Sequence, residues 1–323
     1  MSRSLLLALL VVALGACANT GASQPAGASV LPSGGSAQVL PRALAALDTD
    51  HLVVVGTDAA DPNRGAIATS ADGGQTWASR SLPTPPLNGV ALNGSTVLVT
   101  ADCAQASGPG CVWSSTDGGR SFADLAQIPR LVRPALSDER TAWLVTPPVS
   151  GQISTLWRVT LPSGDWGQTT PWCDVPVTFS AIGMVFTSSS DGWMACSGNV
   201  TDGREARSLA RVINGGENDE VVATAGVPGL ADTLPASGIL AGLSMLADGH
   251  GRFWTQDALY ASTDSGKTWA SVLVEDAVVA QLRSAQFVTP TIGFAVLAGS
   301  PTARVARTTD GGRTWTTVVT FPT

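Results

Sequence analysis

Lysine is nearly absent. Lys267 is the only one, and with 17 arginines it faces 25 acidic residues, for a formal net charge of −7. No basic stripe is available to neutralise the phosphates of a duplex, which excludes nucleic acid as a partner. Histidine is scarce too: His51 and His250 lie far apart, and there is no C-x-x-C pair, so no metal-ligand spacing occurs and no motif calls for a cofactor. Charged residues make up only 13%, while hydrophobic residues reach 44% with 35 Gly and 20 Pro. That composition excludes a disordered chain and favours short strands joined by tight turns over long helices.

No apolar run is long enough to span ~30 Å of hydrocarbon as a helix, which takes roughly 20 residues. Leu5 to Leu14 follows a short positive start at Met1 to Arg3 and precedes the small residues Gly15 and Ala16, which is the layout of a signal peptide over residues 1–16. Leu14-Gly15-Ala16-Cys17 resembles the lipobox of bacterial lipoproteins. The resemblance implies that Cys17 is lipidated and anchors the chain to the outer face of the cytoplasmic membrane, the lipid being its only membrane contact. From there to about residue 40 the chain is Ala, Gly, Ser, Pro, Asn and Gln with hardly an apolar anchor, and reads as a flexible tether.

Four cysteines remain in the exported part: Cys103, Cys111, Cys173 and Cys196. An oxidising compartment allows two bridges. Cys103 and Cys111 flank a Gly-Pro-Gly loop, which ranks their pairing first and leaves Cys173 with Cys196, although four cysteines permit three pairings.

A repeat decides the fold class. Four segments align without gaps: Ser70-Ala-Asp72-Gly-Gly74-Gln-Thr76-Trp77, Ser115-Thr-Asp117-Gly-Gly119-Arg-Ser121-Phe122, Ser262-Thr-Asp264-Ser-Gly266-Lys-Thr268-Trp269 and Thr308-Thr-Asp310-Gly-Gly312-Arg-Thr314-Trp315. All fit S/T-x-D-x-G-x-T/S-aromatic, which resembles the Asp box, or bacterial neuraminidase repeat, of sialidases, sortilin, xyloglucanases and the photosystem II assembly factor family. Asp72 and Asp117 are 45 residues apart, Asp264 and Asp310 46, and the gap from Asp117 to Asp264 is 147, or three steps of 49. Two degraded copies belong in that gap, at Ser163-Gly164-Asp165-Trp166 and Asn214-Gly215-Gly216.

A second, weaker repeat pairs an apolar run with a Gly-aromatic step, clearest at Phe186 with Gly192-Trp193 and at Phe287 with Gly293-Phe294. Period and strand count together predict an all-β fold, a six-bladed β-propeller of four-stranded antiparallel blades, with seven blades the alternative count. The propeller is expected over 41–323, with blades near 43–86, 87–130, 131–176, 177–228, 229–279 and 280–323. Each blade starts at its innermost strand and ends at its outermost, which leaves no strand to complete a mixed blade. Ala37 to Leu40 pairing with an outer edge is one way to close the ring, and side-chain packing between the first and last blades is another.

In each box the Asp carboxylate and the Ser or Thr hydroxyl are expected to take hydrogen bonds from turn amides. The Gly takes a conformation other residues avoid, and the aromatic ring packs between neighbouring sheets. These residues therefore read as structural. Strand order puts the boxes on the same side of the disc as the turns that join strands a and b, with Asp48, Asp50, His51, Asp138, Glu139, Asp191, Asp248 and His250. The opposite face is the candidate ligand face, and there Arg130, Arg133, Trp172, Asp174 and Arg283 stand out, with Asp58, Asp61, Arg64, Asp202, Arg204 and Glu275 nearby. Arg133 and Arg283 each sit just ahead of an innermost strand, placed to hold a carboxylate or phosphate in bidentate fashion.

Resemblance to sialidases implies a tyrosine nucleophile, three substrate-clamping arginines and an early Arg-Ile-Pro motif. Here the sole tyrosine, Tyr260, falls on strand c, and Ile128-Pro129-Arg130 has the wrong order and comes late. No Ser-His-Asp or Cys-His arrangement forms on the ligand face either. The expectation is a monomeric, non-catalytic envelope lipoprotein that binds or scaffolds a protein or glycan partner. A glycoside hydrolase built on two carboxylates from Asp58, Asp174, Asp202 and Glu275 is the alternative.

Overall fold

The computed structural model describes residues 30–31, 38–101, 112–126, 132–146, 154–169, 173, 178–274, 278–299 and 303–321. Cys17, Cys103, Cys111, Arg130, Trp172, Asp174 and Glu275 lie outside the described residues, as does the whole signal segment.

The fold is a six-bladed β-propeller in which every blade is a four-stranded antiparallel sheet with strands in chain order from the axis outward. Blade 1 runs Val39–Ala46, His51–Asp58, Asp61–Ala71 and Ala78–Leu82; blade 2, Leu87–Asn93, Thr96–Ala101, Val112–Ser115 and Phe122–Ala126. Blade 3 runs Arg133–Asp138, Thr141–Thr146, Thr155–Thr160 and Asp165–Thr169; blade 4, Thr178–Phe186, Gly192–Thr201, Arg204–Ile213 and Asn218–Ala225. Blade 5 runs Leu240–Met245, Gly251–Thr255, Leu259–Ser262 and Ala270–Val272; blade 6, Leu282–Phe287, Gly293–Leu297, Arg304–Thr308 and Thr316–Thr320.

Tight turns make this layout possible, and apolar side chains on both faces of the inner three strands hold it. Val53 to Val55, Val97 to Val99 and Phe294 to Leu297 are buried continuously, as strands between two neighbouring sheets must be. Buried residues therefore gather into six clusters, one in each gap between adjacent blades. Val54 and Ala68 of blade 1 meet Phe294, Val296 and Val305 of blade 6 in one, and Leu209 of blade 4 meets Met245 and Phe253 of blade 5 in another.

Closure comes through side chains. The amide of Leu44 donates to Ser284 Oγ (3.2 Å), that of Ala46 donates to Gln286 Oε1 (3.0 Å), and Trp77 meets Phe321 edge to face at 5.7 Å. The expected role of Ala37 to Leu40 at an outer edge does not hold: Val39 and Leu40 belong to the innermost strand of blade 1, opposite Asp58 and Thr57. The residues on an outer edge come earlier, where Val30–Leu31 pairs antiparallel with Ala123 and Phe122 and gives blade 2 a fifth strand.

The four repeat turns share one geometry. In blade 1, Ser70 Oγ donates to Asp72 Oδ1 (2.8 Å) and accepts from the Gly74 amide (2.9 Å), while Thr76 donates its amide to Oδ1 (2.9 Å) and its hydroxyl to Oδ2 (2.5 Å). The same bonds recur around Asp117, Asp264 and Asp310. Trp77, Trp269 and Trp315 each return their indole N–H to the carbonyl of the repeat glycine at 2.9 to 3.0 Å.

That glycine is required twice over. Its φ is +90° at Gly74 and +97° at Gly312, and a Cβ there would lie 2.5 Å from Val318 or Leu259 of the preceding blade. Hydrogen bonds from the Thr76 side chain and amide and from Ser70 hold the Asp72 carboxyl down to about 2, and bonds from Thr268 and Ser262 do the same for Asp264. At Asp117 and Asp310 burial pushes upward, and the bonds from Ser121 and Ser115, or from Thr314 and Thr308, overcome it to give about 2 again.

Candidate functional site

Two sets of connections divide the disc into two faces. On one, each repeat turn is tied to the a–b turn of its own blade: the amides of Gly73, Gly118, Ser265 and Gly311 donate to the carbonyls of Asp50, Ser95, Gly249 and Thr291 at 2.8 to 3.0 Å. The acids of this face are engaged locally. Asp48 accepts from the amides of Asp50 and His51 and contacts the His51 ring at 2.9 Å, Asp248 pairs with His250, and Asp191 pairs with Arg211 at 2.9 Å. These are turn-forming bonds of the kind Asp makes with nearby backbone.

The opposite face carries the beginnings of the innermost strands, the b–c hairpins and the connections between blades. Here register creates a feature that residue spacing alone does not disclose. In five of the six innermost strands a bulge skips a residue four or five positions before the last paired residue of the first hairpin, and the residues skipped there are Arg42, Asn88, Ile182, Ala241 and Arg283; blade 4 has a second shift earlier, between Thr178 and Ser180. A bulge re-aims the side chain it carries. In blade 3 the strand start has no bulge and Arg133 is paired opposite Val145, but its side chain reaches that level, where Nη1 donates to the carbonyl of Ile182, the bulged residue of blade 4.

The channel mouth therefore has two sides. Arg283, Arg42, Asn88 and Arg133 come from consecutive blades 6, 1, 2 and 3, and Ile182 and Ala241 come from blades 4 and 5. The three arginines are exposed, and among the described residues no carboxylate lies within ion-pair distance of any of them. Surrounding protein presses the Arg133 guanidinium below the usual arginine pKa by withholding water, although the side chain still reaches solvent. That is the environment of a group lining an open channel.

Arg133 and Arg283 thus lie within innermost strands, as first and second residue, rather than ahead of them. Arg42 was absent from the candidates drawn from sequence. It sits in the first innermost strand, and only the slipped register between Pro41 and Ala43 distinguishes it from an ordinary strand residue.

The remaining candidates are spread out. Asp58 is buried and engaged by Ser81 Oγ and the Ala60 amide, so its carboxylate closes a hairpin. Arg204 pairs with Asp232 at 2.5 Å, and Asp61, Arg64 and Asp202 are separate surface positions on hairpins of blades 1 and 4. Tyr260 is buried on the third strand of blade 5, stacked on Phe253 at 4.7 Å with its hydroxyl 3.2 Å from Ser237 Oγ. It therefore stands away from the mouth. Among the described residues no group of three or more His, Cys, Asp or Glu side chains is arranged to hold a metal ion.

Blade 4 is braced on this face. Cys173 and Cys196 form a disulfide with Cα atoms 5.7 Å apart, joining the connection that enters the blade to its second strand. The buried Arg207 donates to Glu205 Oε2 (2.8 Å) and to the carbonyls of Pro235, Ser237 and Gly238, and Glu205 accepts the Leu240 amide at 2.9 Å. Every strong donor in this buried pair is thus engaged, which such pairs require. Together these bonds hold the connection from blade 4 to blade 5 against its hairpin.

No protein-family model matches the chain, and no curated protein matches it. Among solved structures it is similar to YCF48 bound to D1 peptide, at 18% identity over 92% of this chain and 85% of that one, with a TM-score of 0.48. It is also similar to YCF48 from Cyanidioschyzon merolae (15% identity, 90% and 88% covered, TM-score 0.49) and to the GH74 xyloglucanase from Xanthomonas campestris (16%, 86% and 60%, TM-score 0.43). The blade count and registers described above stand on the strand pairing of this chain itself.

Proposed function

We propose that the protein is an exported lipoprotein whose propeller binds or scaffolds an envelope partner, a protein or a glycan, through the face bearing the channel mouth. The arc of Arg283, Arg42 and Arg133 supports this reading best. Arg133 is partly enclosed and bonded to a carbonyl with no acid in reach, and with the exposed Arg42 and Arg283 it makes the mouth complementary to an anionic ligand. The repeat turns carry the framework: their aspartates and hydroxyls are occupied by one another, and the resemblance to Asp boxes fits that role. Cys17 supplies the anchor, and the protein acts as a monomer.

Two experiments test the proposal. Metabolic labelling with an alkyne fatty acid labels the intact chain, and Cys17→Ala removes both the label and membrane association; retention of either refutes the anchor. A pull-down from envelope extracts beside a glycan array tests the mouth, with Arg42→Ala/Arg133→Ala/Arg283→Ala in parallel. Enrichment of one partner, or one glycan class, that the triple variant loses supports the site. Equal enrichment by both proteins places the partner elsewhere.

A further inference from the structure

From Ala18 to Gln38 the chain holds two apolar residues larger than alanine or proline, Val30 and Leu31, side by side between Ser29 and Pro32. Everything else there is Ala, Gly, Ser, Thr, Asn, Gln or Pro. An aliphatic pair with a β-branched member is the one point in this stretch with strand propensity, and Pro32, which has no amide to donate, stops a strand at once. The structure pairs these same two residues. Val30–Leu31 lies antiparallel to the outermost strand of blade 2, with Val30 opposite Ala123 and Leu31 opposite Phe122.

The acceptor strand differs from its counterparts. The outer strand of blade 3 is exposed throughout, and those of blades 5 and 6 are exposed over most of their length. In blade 2, Phe122 is buried, Ala123 to Leu125 are half-buried, and burial pushes the Asp124 carboxyl above its usual range. An outermost strand offers a row of unpaired amides and carbonyls that an added strand satisfies, and among the described residues this is the one outer edge so covered. Direction matters as well. Phe122 follows the repeat turn at Asp117 and Ala126 lies nearer the mouth face, so the antiparallel partner puts Val30 on the mouth side of Leu31. About 13 residues separate Val30 from Cys17, a reach of at most about 45 Å. Without the pairing the chain would join the propeller at Val39, which opens the innermost strand of blade 1 three residues before Arg42. The tether would then leave from the mouth itself, with a reach of up to about 75 Å.

We infer that the outer edge of blade 2 is a docking site for the chain's own tether, and that Val30–Leu31 clasps it there so that the propeller is held to the membrane by this rim rather than by the mouth. The membrane part of the inference rests on the proposed anchor at Cys17, and the clasp itself does not. The clasp shortens the arm, brings blade 2 closer to the bilayer than blade 5 across the ring, and draws the anchoring segment to the side of the disc, away from Arg42.

The test compares the full-length chain in mild detergent with Val30→Pro/Leu31→Pro. This change removes both amides of the pair at a place outside the blades, so the propeller keeps its fold and its melting temperature. Hydrogen exchange read by mass spectrometry is expected to run about tenfold faster over Phe122–Ala126 in the variant, with Ala270–Val272 and Thr316–Thr320 unchanged. Unaltered exchange at blade 2 overturns the clasp. Protection that fades on dilution of the wild-type chain means that the strand comes from a neighbouring copy, and overturns it as well.

Membrane geometry is read separately, with the chain on vesicles that carry an acceptor dye on their lipid headgroups. A fluorescent amino acid at the exposed position Arg120 in blade 2 is expected to transfer energy more efficiently than one at the exposed Leu273 in blade 5, and the double variant is expected to erase the difference. Equal transfer from both positions in the wild type overturns attachment by the rim. A chain that stays off the vesicles with Cys17 unmodified refutes the anchor, and attachment by the rim with it, while the exchange result still decides the clasp.

Discussion

Blades 1, 2, 5 and 6 fasten their outer hairpins in one way, and blades 3 and 4 each do it differently. In the first group a carboxylate collects two hydroxyls and at least one amide, and the following ring is tucked against the preceding blade. Blade 3 has Asp165 and Trp166 in the corresponding turn, but Trp166 is 57% exposed, leaning on Trp157 at 4.8 Å, and its outer strand is exposed throughout. Blade 4 has no ring at all. Its turn passes through Asn214 with φ +55° and, of the bonds shared by the repeat turns, has the one from the Gly215 amide to the Ser190 carbonyl of the a–b turn. Both blades are nonetheless complete four-stranded sheets with buried inner strands. The repeat turn is therefore a local reinforcement, and the blade itself is made by apolar strands packed between neighbours.

Blade 4 relies instead on its disulfide, and breaking that bond should be the most damaging change. Closing a loop across a separation of 23 residues contributes about 3 kcal/mol, so Cys173→Ser/Cys196→Ser should lower stability by that much in denaturant melts. In a boxed blade, Gly74→Ala meets both a positive φ and Val318, and a cost of about 2–3 kcal/mol is expected by the same measurement. The matching change in blade 3, Gly164→Ala, also meets a positive φ (+75°), but its nearest neighbour is the Leu125 carbonyl oxygen at 3.0 Å rather than a side chain at 2.5 Å, and a smaller cost of about 1–2 kcal/mol is expected. A cost at Gly164 as large as that at Gly74 would erase the distinction between the two kinds of blade.

Asp310→Ala removes the acceptor for Thr308 and Thr314 and should cost about 1–2 kcal/mol, whereas Asp165→Ala in blade 3 should cost close to nothing. Acid sharpens the same contrast. Hydrogen bonds hold the four repeat aspartates at about 2, down from the ordinary carboxylate value of 3.8, so the stability they contribute is full above about pH 4 and is lost as pH falls toward 2. Hydrogen exchange across that interval should accelerate first in the outer hairpins of blades 1, 2, 5 and 6. Uniform loosening, or loosening led by blades 3 and 4, would contradict the assignment.

Much of the framework was legible because it is written in short, local chemistry. The S/T-x-D-x-G repeats mark four hairpins, and their spacing accounts for the two turns at Ser163 to Trp166 and at Asn214 to Gly216, where the structure has the third and fourth c–d turns. The mouth was less legible. Arg133 and Arg283 were noticed through their place beside strands, but Arg42 joins them only through bulges, and a bulge is a property of pairing between strands rather than of either strand's composition.

The seam between the last sheet and the first has a further consequence. Since Leu44, Ala46 and Trp77 meet Ser284, Gln286 and Phe321 with no strand exchanged between the last sheet and the first, the four blade strands of every sheet are one continuous stretch of chain, and Val30–Leu31 on the outer edge of blade 2 is an addition from before blade 1. New termini opened between, say, residues 226 and 239 would leave every sheet whole. Evolution, or a protein engineer, can accordingly add, remove or rotate entire four-stranded units as modules, the one ladder crossed being the two-residue pairing of Val30–Leu31 with blade 2.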